Sequence, residues 1–158
     1  MRAKSGFTLV EILIVVVILG ILAAIVIPQF TDASTEARTS SLCSDLQTLR
    51  SQIELYKIQH SDSLAAITDD ASFIVAMTKF TDIKGVICAE QKPGDGRYGP
   101  YVSKIPKNPF NDKSSVRVEI GASTAGTDAD GWVLNTDTGV IQADDALSCS
   151  DGTPHTDL

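Results

Sequence analysis

From Phe7 to Ile27 the chain reads FTLVEILIVVVILGILAAIVI, 21 residues with a single ionisable side chain, Glu11. At about 1.5 Å per residue a helix of this length spans roughly 30 Å, the thickness of the hydrocarbon core of a bilayer. Sixteen consecutive residues, Ile12 to Ile27, carry no polar side chain at all. The segment is expected to insert in a membrane. Arg2 and Lys4 precede it, and the positive-inside tendency holds residues 1–6 in the cytoplasm and sends the remainder outward.

Glu11 is the anomaly. A central Asp, Lys or Arg costs about 2.5–3.5 kcal/mol even on the lenient insertion scale. A Glu near the segment's end costs less, yet it still needs a partner. A secretory signal has a shorter apolar region followed by a small-residue cleavage site. An uncleaved signal anchor or an unusual signal peptide fits the length, but neither accounts for the carboxylate.

The 158 residues suffice for one domain with a modest core plus an appendage. The formal charge of −7 argues against non-specific nucleic-acid binding, which relies on Lys and Arg to displace counterions. The charge is segregated. Residues 79–117 hold eight Lys/Arg against four Asp/Glu, whereas residues 118–158 hold eight acids and no Lys or Arg. This reads either as an ordinary solvated surface or as complementary faces between copies of the chain. Three cysteines, Cys43, Cys88 and Cys149, are too few for a disulfide scaffold, and their spacing matches no zinc motif. One pair and one free thiol is an option in an oxidising compartment.

The N-terminal stretch KSGFTLVEILIVVVILGILAAIVIPQF resembles the class III signal of type IV prepilins and type II secretion pseudopilins. The resemblance implies that a prepilin peptidase cuts between Gly6 and Phe7, before the apolar run, which is therefore retained. Phe7 then becomes the N-methylated terminus, and Glu11 is the family's glutamate. The new α-amino group, with a reference pKa of about 7.7–8.0, is largely cationic. It is a natural partner for Glu11, in the same chain or in an adjacent subunit. Such a buried pair adds little net stability but can fix register, because misalignment strands both charges.

Pro28 removes a backbone donor and crowds the preceding turn, so a kink is expected there, with Gly20 a second soft point. Beyond it, helix is expected to about His60. Leu42, Leu46, Leu49, Ile53 and Tyr56 form one apolar stripe that docks on the chain's own head. Asp45, Arg50, Glu54 and Lys57 fall on the opposite face. In the head, Asp70 is expected to cap a short helix carrying Phe73, Ile74, Met77 and Phe80. SVRVEIGA alternates like a strand, with Val116, Val118 and Ile120 on one side. GWVLNTDTGVI reads as a hairpin, Trp132–Leu134 and Val140–Ile141 around a turn ending in Gly139, and Trp132 is assigned to the core.

The fold expected is therefore α+β, a pilin-like lollipop: a long N-terminal helix packed on a small antiparallel sheet head. Its segments are a cleaved leader (1–6), a transmembrane and filament-core helix (7–28), the amphipathic second half of the helix (29–60) and a globular head (61–158). GPYVSKIPKNPF and the hairpin are similar to the head of the major pseudopilin of type II secretion. The resemblance implies a structural subunit of a periplasmic filament that supports protein export, rather than an enzyme. A surface type IV pilus is the alternative. The implied partners are the chain itself, minor pseudopilins, the peptidase and methylase, the inner-membrane assembly platform and membrane lipid. Relatives often bind calcium in the C-terminal loop, for which Asp128, Asp130, Asp144 and Asp145 are the candidates, although two acids before a Gly are also ordinary turn chemistry. Conventional pilins often carry a C-terminal disulfide. Cys88–Cys149 is the expected pair, with Cys43 then a buried apolar residue; Cys43–Cys88 and three free thiols are the alternatives. His60 and His155 are assigned to the surface, and no catalytic motif stands out.

Overall fold

The computed structural model describes residues 6–88 and 97–158. Arg2 and Lys4 of the leader, and the middle of the expected Gly/Pro-rich loop, lie outside them. The elements follow in the order α1 (Leu9–Gln59), α2 (Asp70–Thr78), β1 (Phe80–Asp82), β2 (Ile87–Cys88), β3 (Arg97–Tyr98), β4 (Val116–Glu119), β5 (Trp132–Asn135), β6 (Ile141–Ala143) and a 3₁₀ turn (His155–Asp157). The expected α+β class is observed. The chain divides into two compact units at Ala37/Arg38.

In the first unit α1 is the one helix among the described residues that is long and apolar enough to cross a membrane. Its large side chains from Leu9 to Ile27 are exposed in the chain by itself, the condition that lipid or neighbouring subunits would relieve. The helix runs through Pro28 without a break. One turn on, the Thr31 hydroxyl donates to the Ile27 carbonyl at 3.1 Å, a back-bond of the kind that bends helices.

The second unit contains the core. Leu42, Leu46, Leu49, Ile53 and Tyr56 are all buried, so the whole expected stripe faces inward. They join Phe73 and Met77 of α2, Val116, Trp132, Leu134, Ile141 and Ala143 of the sheet, and Leu64, Ile67 and Ile105 from the loops. Arg50, expected on the opposite face, instead reaches into the head. Its Nε and Nη2 donate to the Ile141 carbonyl at 3.3 and 3.1 Å, and Nη2 also to the Leu158 carbonyl. A long aliphatic stem lets this helix position cover apolar surface while its fork finds backbone acceptors.

The cap of α2 is Asp69 rather than Asp70. Asp69 Oδ1 accepts from the Ser72 amide at 2.8 Å, and Ser72 Oγ accepts from the Asp69 amide at 2.9 Å, which closes a capping box. Asp70 points elsewhere and accepts from the Val116 amide at 2.9 Å, tying α2 to the first residue of β4. The helix ends at Thr78, so Phe80 belongs to β1.

Two three-stranded sheets follow. β2–β1–β3 is antiparallel, and β4–β5–β6 is mixed: β4 runs parallel to β5, and β5 antiparallel to β6. The expected small antiparallel head is present, with β4–β5 its one parallel pair among the described residues. A parallel pair needs a connection of about a dozen residues, and segment 120–131 supplies it. Strand β4 stops at Glu119, which leaves Ile120 exposed rather than on the inward face with Val116. The β5–β6 hairpin matches expectation, with Gly139 at φ 74° in its turn. Gly131 has a different reason to be glycine: a Cβ there would meet the Lys113 carbonyl oxygen at 2.2 Å, so only glycine permits this approach of two backbones.

Candidate functional site

Two polar constellations stand out, one in each unit. The first lies where the membrane-length helix begins. Gly6 and Phe7 are non-helical and exposed, and among the described residues a Cβ at Gly6 would meet nothing within 4 Å. The bond between them is therefore in an open, unwound stretch. Thr8 precedes the first helical residue. Its backbone amide and its hydroxyl both donate to Glu11 Oε2 at 2.8 Å, and Thr8 Oγ1 accepts from the Glu11 amide at 3.2 Å.

This is a capping box. It gives the anomalous carboxylate a local role, since the first amides of any helix lack intrahelical acceptors. The signal was present in the sequence: Thr-Leu-Val-Glu is the spacing Ser/Thr-x-x-Glu before an apolar run. Thr8 engages Oε2 alone, so among the described residues Oε1 is left to accept a further donor, within the roughly four acceptor positions of a carboxylate. Of the helix positions expected to bend, Gly20 lies in unbroken helix with open space around it, and Pro28 is described above.

The second constellation lies at the C-terminal end of the head. Asp144, fully buried just after β6, accepts from the Thr127 amide at 3.0 Å and the Asp130 amide at 2.9 Å. Arg117 of β4 grips both its oxygens, Nη1 to Oδ2 at 3.1 Å and Nη2 to Oδ1 at 3.2 Å. The same guanidinium donates to Glu119 Oε1 at 2.9 Å, to Asp130 Oδ2 and Thr127 Oγ1 at 3.2 Å, and to the Thr124 carbonyl at 3.1 Å. Glu119 is held in turn by the amide and hydroxyl of Thr124. The acidic C-terminal stretch thus turns back on the last basic residue of the preceding segment, and this part of the charge segregation is resolved within one chain.

Burial pushes the Asp144 carboxyl up, but the amides of Asp130 and Thr127 and the Arg117 guanidinium outweigh it and hold it below its usual range. For Glu119, burial is likewise outweighed by Thr124 and then by Arg117. Both folded values lie below the unfolded ones, near 4. Their contribution is therefore complete above that pH and lost as pH falls through the depressed folded values. Thermal melts between neutral pH and pH about 2 should show stability falling below pH about 4. Asp69 and Asp82, also lowered by backbone hydrogen bonds, add to the same slope. Arg117→Gln should make the acid fall shallower, because that variant has less to lose; an unchanged slope would remove Arg117 from the account.

Asp145 faces a separate partner set. It accepts from Asn108 Nδ2 at 2.8 Å, from the Leu147 amide at 3.2 Å and from His155 Nδ1 at 2.5 Å; the ring must donate here, since a carboxylate only accepts. His155 is fully buried and lies 4.3 Å from the Phe110 ring centroid. A carboxylate-oriented imidazole is half of a catalytic triad, but Nε2 of this ring meets no partner among the described residues. The pair holds the tail in place. His60 is buried too, stacked on Tyr56 at 3.8 Å with Nε2 3.0 Å from Thr81 Oγ1. The surface assignment of both histidines fails: each ring is buried, and at least one of its nitrogens is held by a protein partner.

Asn108 is the residue that sequence reasoning missed most completely. Fully buried, it bonds the Gly131 carbonyl at 3.1 Å, Asp145 and the Phe110 amide. Its only sequence signal is the Asn-Pro-aromatic step that contains it. Asp128 accepts from Asn111 Nδ2 at 2.9 Å and lies 3.9 Å from Lys113 Nζ. The four candidate calcium ligands are thus divided among Arg117, Asn108 with His155, and Asn111 with Lys113. Among the described residues no three His, Cys, Asp or Glu side chains group as a metal site.

The cysteines are free thiols, Cys43 exposed rather than buried and Cys88 and Cys149 partly buried. The structure does not join Cys88 to Cys149. The Cys88 thiol turns to the Val86 carbonyl. Burial, Asp151 and then Cys43 push the Cys149 thiol up.

Residues 1–27 match the family described as the prokaryotic N-terminal methylation motif. The type II secretion system core protein G of Vibrio cholerae serotype O1 is 32% identical over 112 residues, 71% of this chain and 69% of the relative. The protein of the same name from Aeromonas hydrophila is 31% identical over 70% of this chain and 71% of its own length. A fimbrial protein of Pseudomonas aeruginosa is 34% identical over a shorter span, 54% of this chain and 56% of its own. No solved structure matches. The likeness to core protein G runs through two-thirds of both chains rather than stopping at the apolar segment, and on that extent the chain belongs to the type II secretion system core protein G family, the pseudopilins.

Proposed function

We propose that this pseudopilin is the repeating subunit of a type II secretion pseudopilus. The precursor is cut between Gly6 and Phe7 by prepilin peptidase, and the Phe7 amine is methylated. The subunit waits in the inner membrane as a single-pass protein, N-terminus cytoplasmic and head periplasmic. It then polymerises with itself and with minor pseudopilins on the inner-membrane platform, and the filament supports protein export. The carrying observation is the Thr8–Glu11 box at an unwound Gly6–Phe7 junction. Cleavage releases an amine, cationic near neutral pH, one turn from a carboxylate whose second oxygen is open to it.

Before assembly the box keeps the carboxylate hydrogen-bonded to its own helix, which lowers the cost of holding it near the membrane. In a filament the same carboxylate can receive the amine of an adjacent subunit and set the axial register. The test is the intact mass of the chain purified from bacterial envelopes. A mature chain beginning at N-methyl-Phe7 is expected, with filaments that remain in the envelope fraction. A chain that keeps residues 1–6 would sink the processing step, and filaments released by shearing the cell surface would favour a type IV pilus instead.

A further inference from the structure

Resemblance to the family implies calcium in the C-terminal loop, but the donor set here does not fit it. Calcium takes about six to eight oxygens. The six oxygens that converge in this loop are Glu119 Oε1, both of Asp144, Asp130 Oδ2, Thr127 Oγ1 and the Thr124 carbonyl, and the Arg117 guanidinium already lies within 2.9 to 3.2 Å of each. A second cation at this point would face the guanidinium's own charge and would have to displace its hydrogen bonds. The other two candidates are directed away, Asp145 toward Asn108 and His155 and Asp128 toward Asn111 and Lys113.

We infer that Arg117 is the resident cation of the C-terminal loop, and that this head closes the 120–131 connection without calcium. The planar fork suits the task, because five N–H donors in fixed directions can hold a ring of oxygens that a lysine's point charge cannot span. Arg117 sits on β4, and Asp130 and Asp144 flank β5 and β6. The guanidinium therefore ties the long connection of the parallel pair to both of its neighbours. A pseudopilus subunit built this way keeps its head loop ordered whatever the calcium level around it.

The test uses the full chain in detergent micelles, melted with Trp132 fluorescence as the probe. The wild-type melts in millimolar calcium and in excess EGTA should coincide. Arg117→Gln should melt lower by about 10 °C, because buried Asp144 then lacks its counter-charge. Arg117→Lys, which keeps the charge but not the fork, should fall between them, and it carries the test if the Gln variant does not fold. A wild-type midpoint that rises by several degrees in calcium would overturn the inference, as would a Lys or Gln variant that melts with the wild type.

Discussion

Glu11→Ala is expected to be inserted and cleaved normally and yet to assemble at least about tenfold less well than the wild type. The proposed cut at Gly6–Phe7 precedes the helix, and the apolar run from Ile12 onward is untouched, so targeting and processing should lose nothing. What is lost is the acceptor for the Phe7 amine. An uncompensated charge in an apolar setting costs about 2.5–3.5 kcal/mol on the lenient scale, and even the lower end of that range exceeds the roughly 1.4 kcal/mol of a tenfold change. Glu11→Gln is the sharper variant. Its amide oxygen can still accept from Thr8, which keeps the cap, while the negative charge is gone. If the charge pairs with the amine, Gln assembles as poorly as Ala; if only the cap matters, Gln assembles like the wild type. Sedimented filament mass from cross-linked envelopes reads the difference, and normal filaments from Glu11→Ala would end the pairing argument.

Trp132→Ala is expected to destabilise the head by about 3–5 kcal/mol, the usual range for truncating a buried aromatic residue. The side chain is fully buried beside Val116, its parallel-ladder partner, and Nε1 donates to the Pro106 carbonyl at 3.0 Å. Truncation opens a cavity under the sheet and leaves that carbonyl unpaired. Against a typical total of 5–15 kcal/mol, the loss should lower the melting midpoint by about 10 °C or more. Trp132→Phe separates the two contributions, since it keeps most of the volume and loses only the donor. Its expected cost is about 1–3 kcal/mol, and a Phe variant as stable as the wild type would show the Pro106 bond to be idle. Burial also rules out stacking of a ligand on this ring.

The elements with a period are legible in the sequence. The stripe Leu42–Leu46–Leu49–Ile53–Tyr56 repeats at helical spacing and is buried as a set. The hairpin announced itself by two β-prone runs and Gly139. The errors fall at ends and polar groups. Asp69, not Asp70, caps α2; Ile120 falls off β4; Arg50 turns inward; and neither histidine reaches the surface. Each depends on a partner far along the chain or on a one-residue choice between equivalent side chains.

What the sequence determined by itself is the membrane-length helix, its Thr8–Glu11 start and the inward face of its second half, because those follow from local spacing and from the cost of putting apolar surface in water. The polar architecture of the head was decided only in three dimensions. Arg117 meets Asp144 at a separation of 27 residues, and Arg50 meets Leu158 at 108. No periodicity records such pairs. The parallel register of β4 on β5 and the return of β6 bring the acids onto one guanidinium, and this turned a calcium-like run of aspartates into an ion-pair cage.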